Sequence, residues 1–199
     1  IGIALKLARL ATGRHKTISM WDSFHGASLD AISIGGEAIF RAGIGPLLPG
    51  CEHVPPPDEY RCLWDCGSRG GCDLKCSNYI EYVLEKETDV AAVIAEPLQG
   101  AAGVYPPQPG YLEGLRALCD EHGALLIFDE VISGFGRLGH WWGAQRYQVT
   151  PDLITFAKGA TSGYLPLGGV LTGAKVNEVL QADDTRMQRH GFSYSGHPT

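Results

Sequence analysis

Two short apolar runs, each ending in a chemically reactive side chain, constrain the fold of this chain most strongly. Residues 124–128 are all apolar and are followed by Asp129. Residues 152–157 form a second, mostly apolar run that is followed by Lys158. Runs of this length are typical of strands buried on both faces of a parallel sheet. Because ligands of open α/β sheets bind just outside the carboxyl ends of the strands, we expect Asp129 and Lys158 to face one ligand.

The order of the other segments predicts an α/β fold, a mostly parallel sheet with helices on both faces. Apolar residues with helical spacing, followed by a glycine that can end a helix, occur at residues 1–10 and 111–122. Short apolar runs predict further strands at residues 16–20, 91–95 and 168–172. The chain therefore reads as alternating strands and helices around one sheet.

Several connecting segments have weaker patterns. Residues 21–26 follow a predicted strand and are expected to form a ligand loop, whereas residues 27–44 are interrupted by glycines and their structure is uncertain. Residues 46–57 contain five prolines and predict an extended surface crossing rather than a helix. Ser77 is expected to cap a helix that runs to Lys86.

Composition and charge exclude some classes of protein. A net charge of −6 without a basic stripe argues against nucleic acid as a partner. No apolar run approaches the roughly 20 residues of a membrane helix, and the start lacks the pattern of a secretion signal. We expect a cytoplasmic protein. The chain begins without Met inside a predicted helix and closes on a loop-like stretch, so we expect an internal fragment, truncated at both ends.

Cys62, Cys66, Cys72 and Cys76, which lie in a proline- and cysteine-rich excursion at residues 50–76, have the spacing C-x3-C-x5-C-x3-C. Four thiolates can bind zinc tetrahedrally, although structural zinc sites mostly use pairs with two intervening residues. Reduced thiols are the alternative, because a reducing compartment disfavours disulfides. Both interpretations stay open, and no metal ligand is assigned to the functional site.

Lys158 and Asp129 each have an ordinary interpretation when taken alone. Lys158 could be a solvated strand end, and Asp129 could cap a helix or pair with Arg137. Together they fit pyridoxal phosphate, which needs a lysine amine for its aldehyde and a carboxylate at its ring nitrogen. Burial would lower the pKa of the lysine and so make its neutral amine available.

Several motifs in series carry a family resemblance. They are AEPLQG at residues 95–100, FDEVISGFGR at 128–137, TFAKG at 155–159 and HGFSYSGHP at 190–198. Their order and spacing resemble the class III aminotransferases of pyridoxal-phosphate fold type I. The resemblance covers nearly the whole chain and is weakest at residues 50–76. It implies that residues 1–199 are part of a cofactor-binding large domain, without the C-terminal small domain.

The resemblance implies roles for four residues around the cofactor ring. Lys158 would bond to the cofactor's aldehyde and move a proton at the substrate carbon. Asp129 would pair with the ring nitrogen. Val131 would pack on one face of the ring and Phe24 on the other, although many family members have Tyr at the Phe24 position.

The resemblance also implies more distant contacts. His25 and Gly26 share the loop of Phe24 and are included among the cofactor-binding residues, His25 as a hydrogen-bonding residue rather than a metal ligand. Ser193 stands where the family often has a Thr that reaches the phosphate of the neighbouring subunit's cofactor. Glu96 matches a position near the active site whose role varies. The role of Ser193 would require at least a homodimer.

The sequence departs from the family pattern in two respects. Ile132 replaces a Gln that several relatives use to bond the cofactor's 3-oxygen, which favours the amine- and β-alanine-type members. The family's Gly-Ser/Thr phosphate loop, upstream of a helix like residues 1–10, and the small domain with its substrate-carboxylate arginine are not found in this sequence. We therefore expect these residues alone to bind the cofactor weakly.

The function implied is transfer of an amino group from an ω-amino acid or amine to a 2-oxo acid such as pyruvate. The same scaffold also supports decarboxylation, 1,2-amino shift (aminomutase), epimerisation and elimination (lyase), because fold and cofactor do not fix the reaction. A more distant alternative is a zinc-stabilised, non-enzymatic binding module.

Overall fold

A six-stranded sheet forms the centre of the fold. The structure is a computed structural model that describes residues 1–67, 70–182 and 190–197. The strands, in chain order, are β1 Lys16–Met20, β2 Cys51–Val54, β3 Val90–Ala95, β4 Leu125–Asp129, β5 Leu153–Phe156 and β6 Gly169–Thr172. Their spatial order is β2-β1-β3-β4-β5-β6. All neighbours are parallel except β5 and β6, which are antiparallel. The predicted α/β fold with a mostly parallel sheet is confirmed.

Helices cover both faces of this sheet. They are α1 Gly2–Thr12, α2 Leu29–Ile34, α3 Ala38–Arg41, α4 Lys75–Lys86, α5 Tyr111–His122, α6 Gly143–Tyr147 and α7 Ala174–Gln181. Apolar side chains of α1 and α7 share one core cluster with β3 and β4. Side chains of α4 and α5 form the other core cluster, which also includes alternate residues of the central strands. The helices therefore bury the two faces of the sheet in separate layers.

The central strands are apolar throughout because both of their faces are covered. Every residue of β3 and β4 is buried. Leu126, Ile127 and Phe128 have no exposed surface, and burying each such side chain stabilises the fold by about 1.5–3 kcal/mol. The polar residue that ends β4, Asp129, consequently lies at the edge of the buried core.

Three local expectations were wrong or incomplete. The proline-rich segment is more than a surface crossing, since β2 pairs in parallel with β1 at the edge of the sheet. Ser77 is not a helix cap, because α4 begins two residues earlier and Leu74 precedes it. Residues 27–44, whose structure the sequence left uncertain, contain the short helices α2 and α3.

None of the six cysteines, all of which lie in the described residues, forms a disulfide. Burial raises the pKa of Cys76 to about 12, so this side chain stays protonated at neutral pH. Within the described ranges, no group of three or more His, Cys, Asp or Glu side chains is placed to hold a metal ion.

None of the helices in the described residues has the length and apolar character needed to cross a membrane.

Candidate active site

A cavity of about 340 Å³ opens at the carboxyl ends of the parallel strands. Asp129 ends β4, Lys158 follows β5, and Phe24 lies in the loop after β1. Six of the seven predicted cofactor-binding residues line this cavity: Phe24, His25, Gly26, Asp129, Val131 and Lys158. The expectation that Asp129 and Lys158 face one space therefore agrees with the geometry.

Asp129 is held by three hydrogen bonds at the floor of the cavity. Its Oδ2 lies 2.8 Å from Nδ1 of His25. Its Oδ1 accepts from the backbone N–H of Val131 at 3.1 Å and from the hydroxyl of Thr155 at 3.2 Å. The carboxylate is only 4% exposed, so these contacts fix its orientation.

The electrostatic surroundings keep Asp129 ionised. Burial by itself would raise the pKa of this carboxyl group. The hydrogen bond and the charge of His25 oppose that effect, with help from Val131 and Thr155, and the net result is a pKa below the ordinary value. The cavity therefore presents a negative charge at its floor.

Lys158, which also lines the cavity, occupies a strained turn. Its φ is 40°, in the left-handed region that residues with side chains rarely adopt. Lys158 begins a single 3₁₀ turn, Lys158–Ala160, immediately after β5. The next position is also tightly packed, since a Cβ on Gly159 would lie 3.1 Å from the Cβ of Phe135. Strained conformations of this kind persist where the surrounding structure holds them, and they cluster at functional sites.

The walls of the cavity are mainly apolar. Phe24 packs against Phe40 with ring centroids 4.6 Å apart, and Val131 and Ile132, which come after Glu130 in the chain, also line the cavity. An apolar wall excludes water, which strengthens the electrostatic contacts made inside.

Glu130, beside Asp129 in the chain, has a structural role. It has no exposed surface, and its carboxylate accepts from the backbone N–H groups of Gly143 at 2.6 Å and Ala144 at 2.7 Å. The hydroxyl of Ser133 donates a third bond at 2.8 Å. Glu130 therefore satisfies the first N–H groups of α6, which a helix cannot satisfy itself.

We expect Glu130→Ala to lower the free energy of unfolding by about 2–5 kcal/mol, because it leaves two buried N–H groups and a hydroxyl without a partner. Urea denaturation of the whole protein measures this change. Glu121→Ala, at an exposed position of α5, is the matched control and should differ from wild type by less than about 0.5 kcal/mol. Equal stability of the two variants would refute the capping role.

The residues present fit pyridoxal phosphate. A carboxylate offers about four acceptor positions, and Asp129 uses three of them within the protein. One position is left for a protonated ring nitrogen. The same cavity presents the primary amine of Lys158 and the apolar side chains of Phe24 and Val131.

Sequence reasoning missed Thr155, although it lies within one of the quoted motifs. Parallel pairing places Thr155 directly opposite Asp129, so a polar residue in the apolar run of β5 was the available signal. Ser193 lies in an exposed turn outside the residues that line the cavity. Its contact with a second subunit's cofactor stays a prediction.

Comparison with known proteins agrees with this geometry. The model of the class III aminotransferase family matches residues 2–199. An (R)-1-hydroxy-2-aminoethylphosphonate ammonia-lyase from Vibrio splendidus is 42% identical over 194 residues, which are 91% of this chain and 40% of that protein. An omega-aminotransferase from Caulobacter vibrioides is 39% identical over 204 residues, which cover 100% of this chain and 46% of that protein.

A solved structure gives the same result for the fold. The amine transaminase from an uncultivated Pseudomonas species, in its PLP-bound form, has a TM-score of 0.87 and 36% identity to this chain. The match covers 97% of this chain and 46% of that one. The chain spans less than half the length of these relatives. The family and the PLP-bound neighbour imply pyridoxal phosphate as the cofactor, and the match over residues 2–199 shows that this chain belongs to the class III aminotransferases.

Proposed function

We propose that the whole protein transfers an amino group from an ω-amino acid or amine to a 2-oxo acid such as pyruvate. The observation that carries this proposal is the cavity shared by Asp129 and Lys158. These residues are a buried acid with a lowered pKa and a primary amine, at the ends of neighbouring strands. The name of the Caulobacter vibrioides relative, an omega-aminotransferase, supports the same reaction.

Each residue of the cavity has a distinct task in this reaction. When bound, the cofactor supplies an electron sink for the negative charge that develops on the substrate carbon. Asp129 would keep the ring nitrogen protonated through a charge-assisted hydrogen bond. The amine of Lys158 would hold the cofactor and would move the proton at the substrate carbon. Phe24 and Val131 would border the ring and exclude water.

The lining of the cavity supports an amine or ω-amino group as the donor. The side chains of Phe24, Ile132 and Val170 offer apolar surface for the carbon chain of a donor. The loss of the Gln at position 132 points in the same direction.

An elimination that releases ammonia is the second candidate, because the Vibrio splendidus relative is named an ammonia-lyase. The two reactions differ in their need for an acceptor. With an amine donor and pyruvate, transfer should give alanine and a carbonyl product in equal amounts, and turnover should stop after one equivalent without pyruvate. Continuous release of ammonia without pyruvate would contradict transfer and favour elimination.

We propose further that the whole protein is a cytoplasmic homodimer that binds neither nucleic acid nor membranes. The net charge of −6 supports the last two points. Ser193 supports the dimer, since its proposed contact is with the partner's cofactor. Light scattering of the purified protein should give twice the mass of one chain, and the mass of one chain would contradict the dimer.

A further inference from the structure

Glu96 joins two loops that border the cavity. It directly follows β3, and the pairing of β3 with β4 places it beside the end of β4, where Asp129 lies. Its Oε1 accepts from the backbone N–H of Phe24 at 3.1 Å. Its Oε2 accepts from the backbone N–H of Gly100 at 2.8 Å. A single carboxylate thus connects the loop after β1 to the loop after β3.

A second hydrogen bond joins the same two loops. The side-chain amide of Gln99 donates to the backbone oxygen of Trp21 at 2.8 Å. Gln99 is 4% exposed, so water competes little for this bond. The two polar residues of the AEPLQG motif therefore both hold the loop of residues 21–26 in place.

The two loops carry side chains that shape the cavity. Phe24 lines the cavity itself. Gly100 packs against Ile132, another lining residue, so closely that a Cβ on Gly100 would lie 2.8 Å from the Cδ1 of Ile132. The position of the Glu96 carboxylate therefore affects two parts of the cavity wall. It affects the Phe24 wall, formed by the side chain of Phe24, directly, and the Ile132 wall, formed by the side chain of Ile132, through Gly100.

We propose that Glu96 is a positioning residue whose carboxylate fixes Phe24 and Gly100, and thereby sets the shape of the cavity in which the cofactor and the amine donor bind. This role rests on the proposed function. It gives a task to a residue that the sequence resemblance left undefined. Glu96 acts through the two backbone N–H groups and needs no contact with reacting atoms.

The charge of Glu96 matters for this role. Burial raises the pKa of its carboxyl group, while His25 and the N–H groups of Gly100 and Phe24 act against that rise. Asp129 adds to the rise, and Lys158 is the remaining ionisable side chain lining the cavity. Glu96→Gln imitates the protonated form, because it keeps the shape of the side chain but replaces one acceptor oxygen with a donor NH₂ group.

Amide hydrogen exchange of the whole protein without added cofactor tests the contact itself. In Glu96→Gln, exchange at Phe24 or Gly100 should become at least about tenfold faster, since a hydrogen bond to a charged acceptor is lost. Exchange in β4 should stay unchanged. Glu121→Gln, exposed on α5, is the matched control and should leave both loops as in wild type. Wild-type exchange at both Phe24 and Gly100 in Glu96→Gln would overturn the proposal.

Cofactor titration and kinetics test the consequence. The dissociation constant of pyridoxal phosphate, followed by its absorbance, should rise about tenfold in Glu96→Gln, and the KM of the amine donor should rise more than kcat falls. Faster exchange with unchanged cofactor affinity and unchanged KM would reduce Glu96 to a structural residue and overturn the proposal.

A second variant probes the Ile132 wall without removing the carboxylate. In Gly100→Ala, the added methyl group should displace Ile132, so the KM of bulky amines should change while the Phe24 amide stays protected. Faster exchange at the Phe24 amide, or an unchanged KM of bulky amines, would contradict the proposal that Phe24 and Ile132 are positioned separately. If the wild-type protein transfers no amino group but the exchange result holds, the proposed function fails and the loop contact stands.

Discussion

Replacing Lys158 with alanine is expected to abolish amino-group transfer by the whole protein and to remove the absorbance of the bound cofactor near the edge of the visible range. Loss of the proton transfer alone should reduce kcat by about 10²–10⁴-fold, and loss of the covalent attachment should reduce it further. Initial rates with an amine donor and pyruvate measure the first effect, and an absorbance spectrum measures the second.

The matched control for this variant is Lys86→Ala, on the exposed side of α4. It should keep wild-type rates and the wild-type spectrum. If Lys158→Ala retained normal activity, the amine at the end of β5 would not be the one that binds the cofactor, and the assignment would be wrong.

Asp129→Asn is expected to reduce kcat/KM by about 10²–10³-fold while keeping the size of the side chain, since preorganised charges at a site of this kind contribute that much. The amide cannot stabilise a positive charge on the ring nitrogen. It also places a donor NH₂ group beside either His25 or the N–H of Val131, both of which face oxygen atoms in the wild-type protein. Steady-state kinetics at saturating cofactor measure the loss. Wild-type kcat/KM in this variant would contradict the role of the acid.

The difference in stability between Asp129→Asn and the wild-type protein should depend on pH. Burial opposes ionisation of Asp129, but the hydrogen bond and charge of His25 lower its pKa overall. A carboxyl group whose pKa is lower in the folded than in the unfolded protein stabilises the fold at pH values above its unfolded-state pKa of 3.8. That contribution is lost as the pH falls through the folded-state pKa. Asp129→Asn should therefore be less stable than wild type near pH 7, and the difference should shrink below pH 3.8. Urea midpoints across this range measure it, and a constant difference would refute the electrostatic explanation.

The sequence was sufficient to predict the parts of the fold that local patterns determine. Residues 124–128 are all apolar. A strand with this composition is typical of a parallel sheet whose two faces are both covered by helices, so the run predicted a buried strand. Gly13 and Gly123 adopt the left-handed conformation that ends α1 and α5, as their positions after the periodic segments predicted. The acid and the lysine then followed from their places at the strand ends.

Other features depend on contacts between distant segments, which a sequence pattern does not contain. β2 lies among prolines and is a strand because it pairs with β1. It lies at the edge of the sheet, where prolines are tolerated because N–H groups on the outer side have no neighbouring strand to bond. β6 reads as an ordinary strand, yet it pairs antiparallel to β5. The hydrogen bond from the backbone N–H of Phe24 to Glu96 joins residues more than 70 positions apart, so it is seen only in the folded chain.

Whether Asp129 and Lys158 close around one cofactor ring can be seen in a crystal structure of the whole protein grown with pyridoxal phosphate. We expect density that is continuous from Nζ of Lys158 to the cofactor, with the ring nitrogen within about 3.2 Å of an Asp129 oxygen. A cofactor bonded to another lysine, or a ring nitrogen that faces away from Asp129, would contradict it.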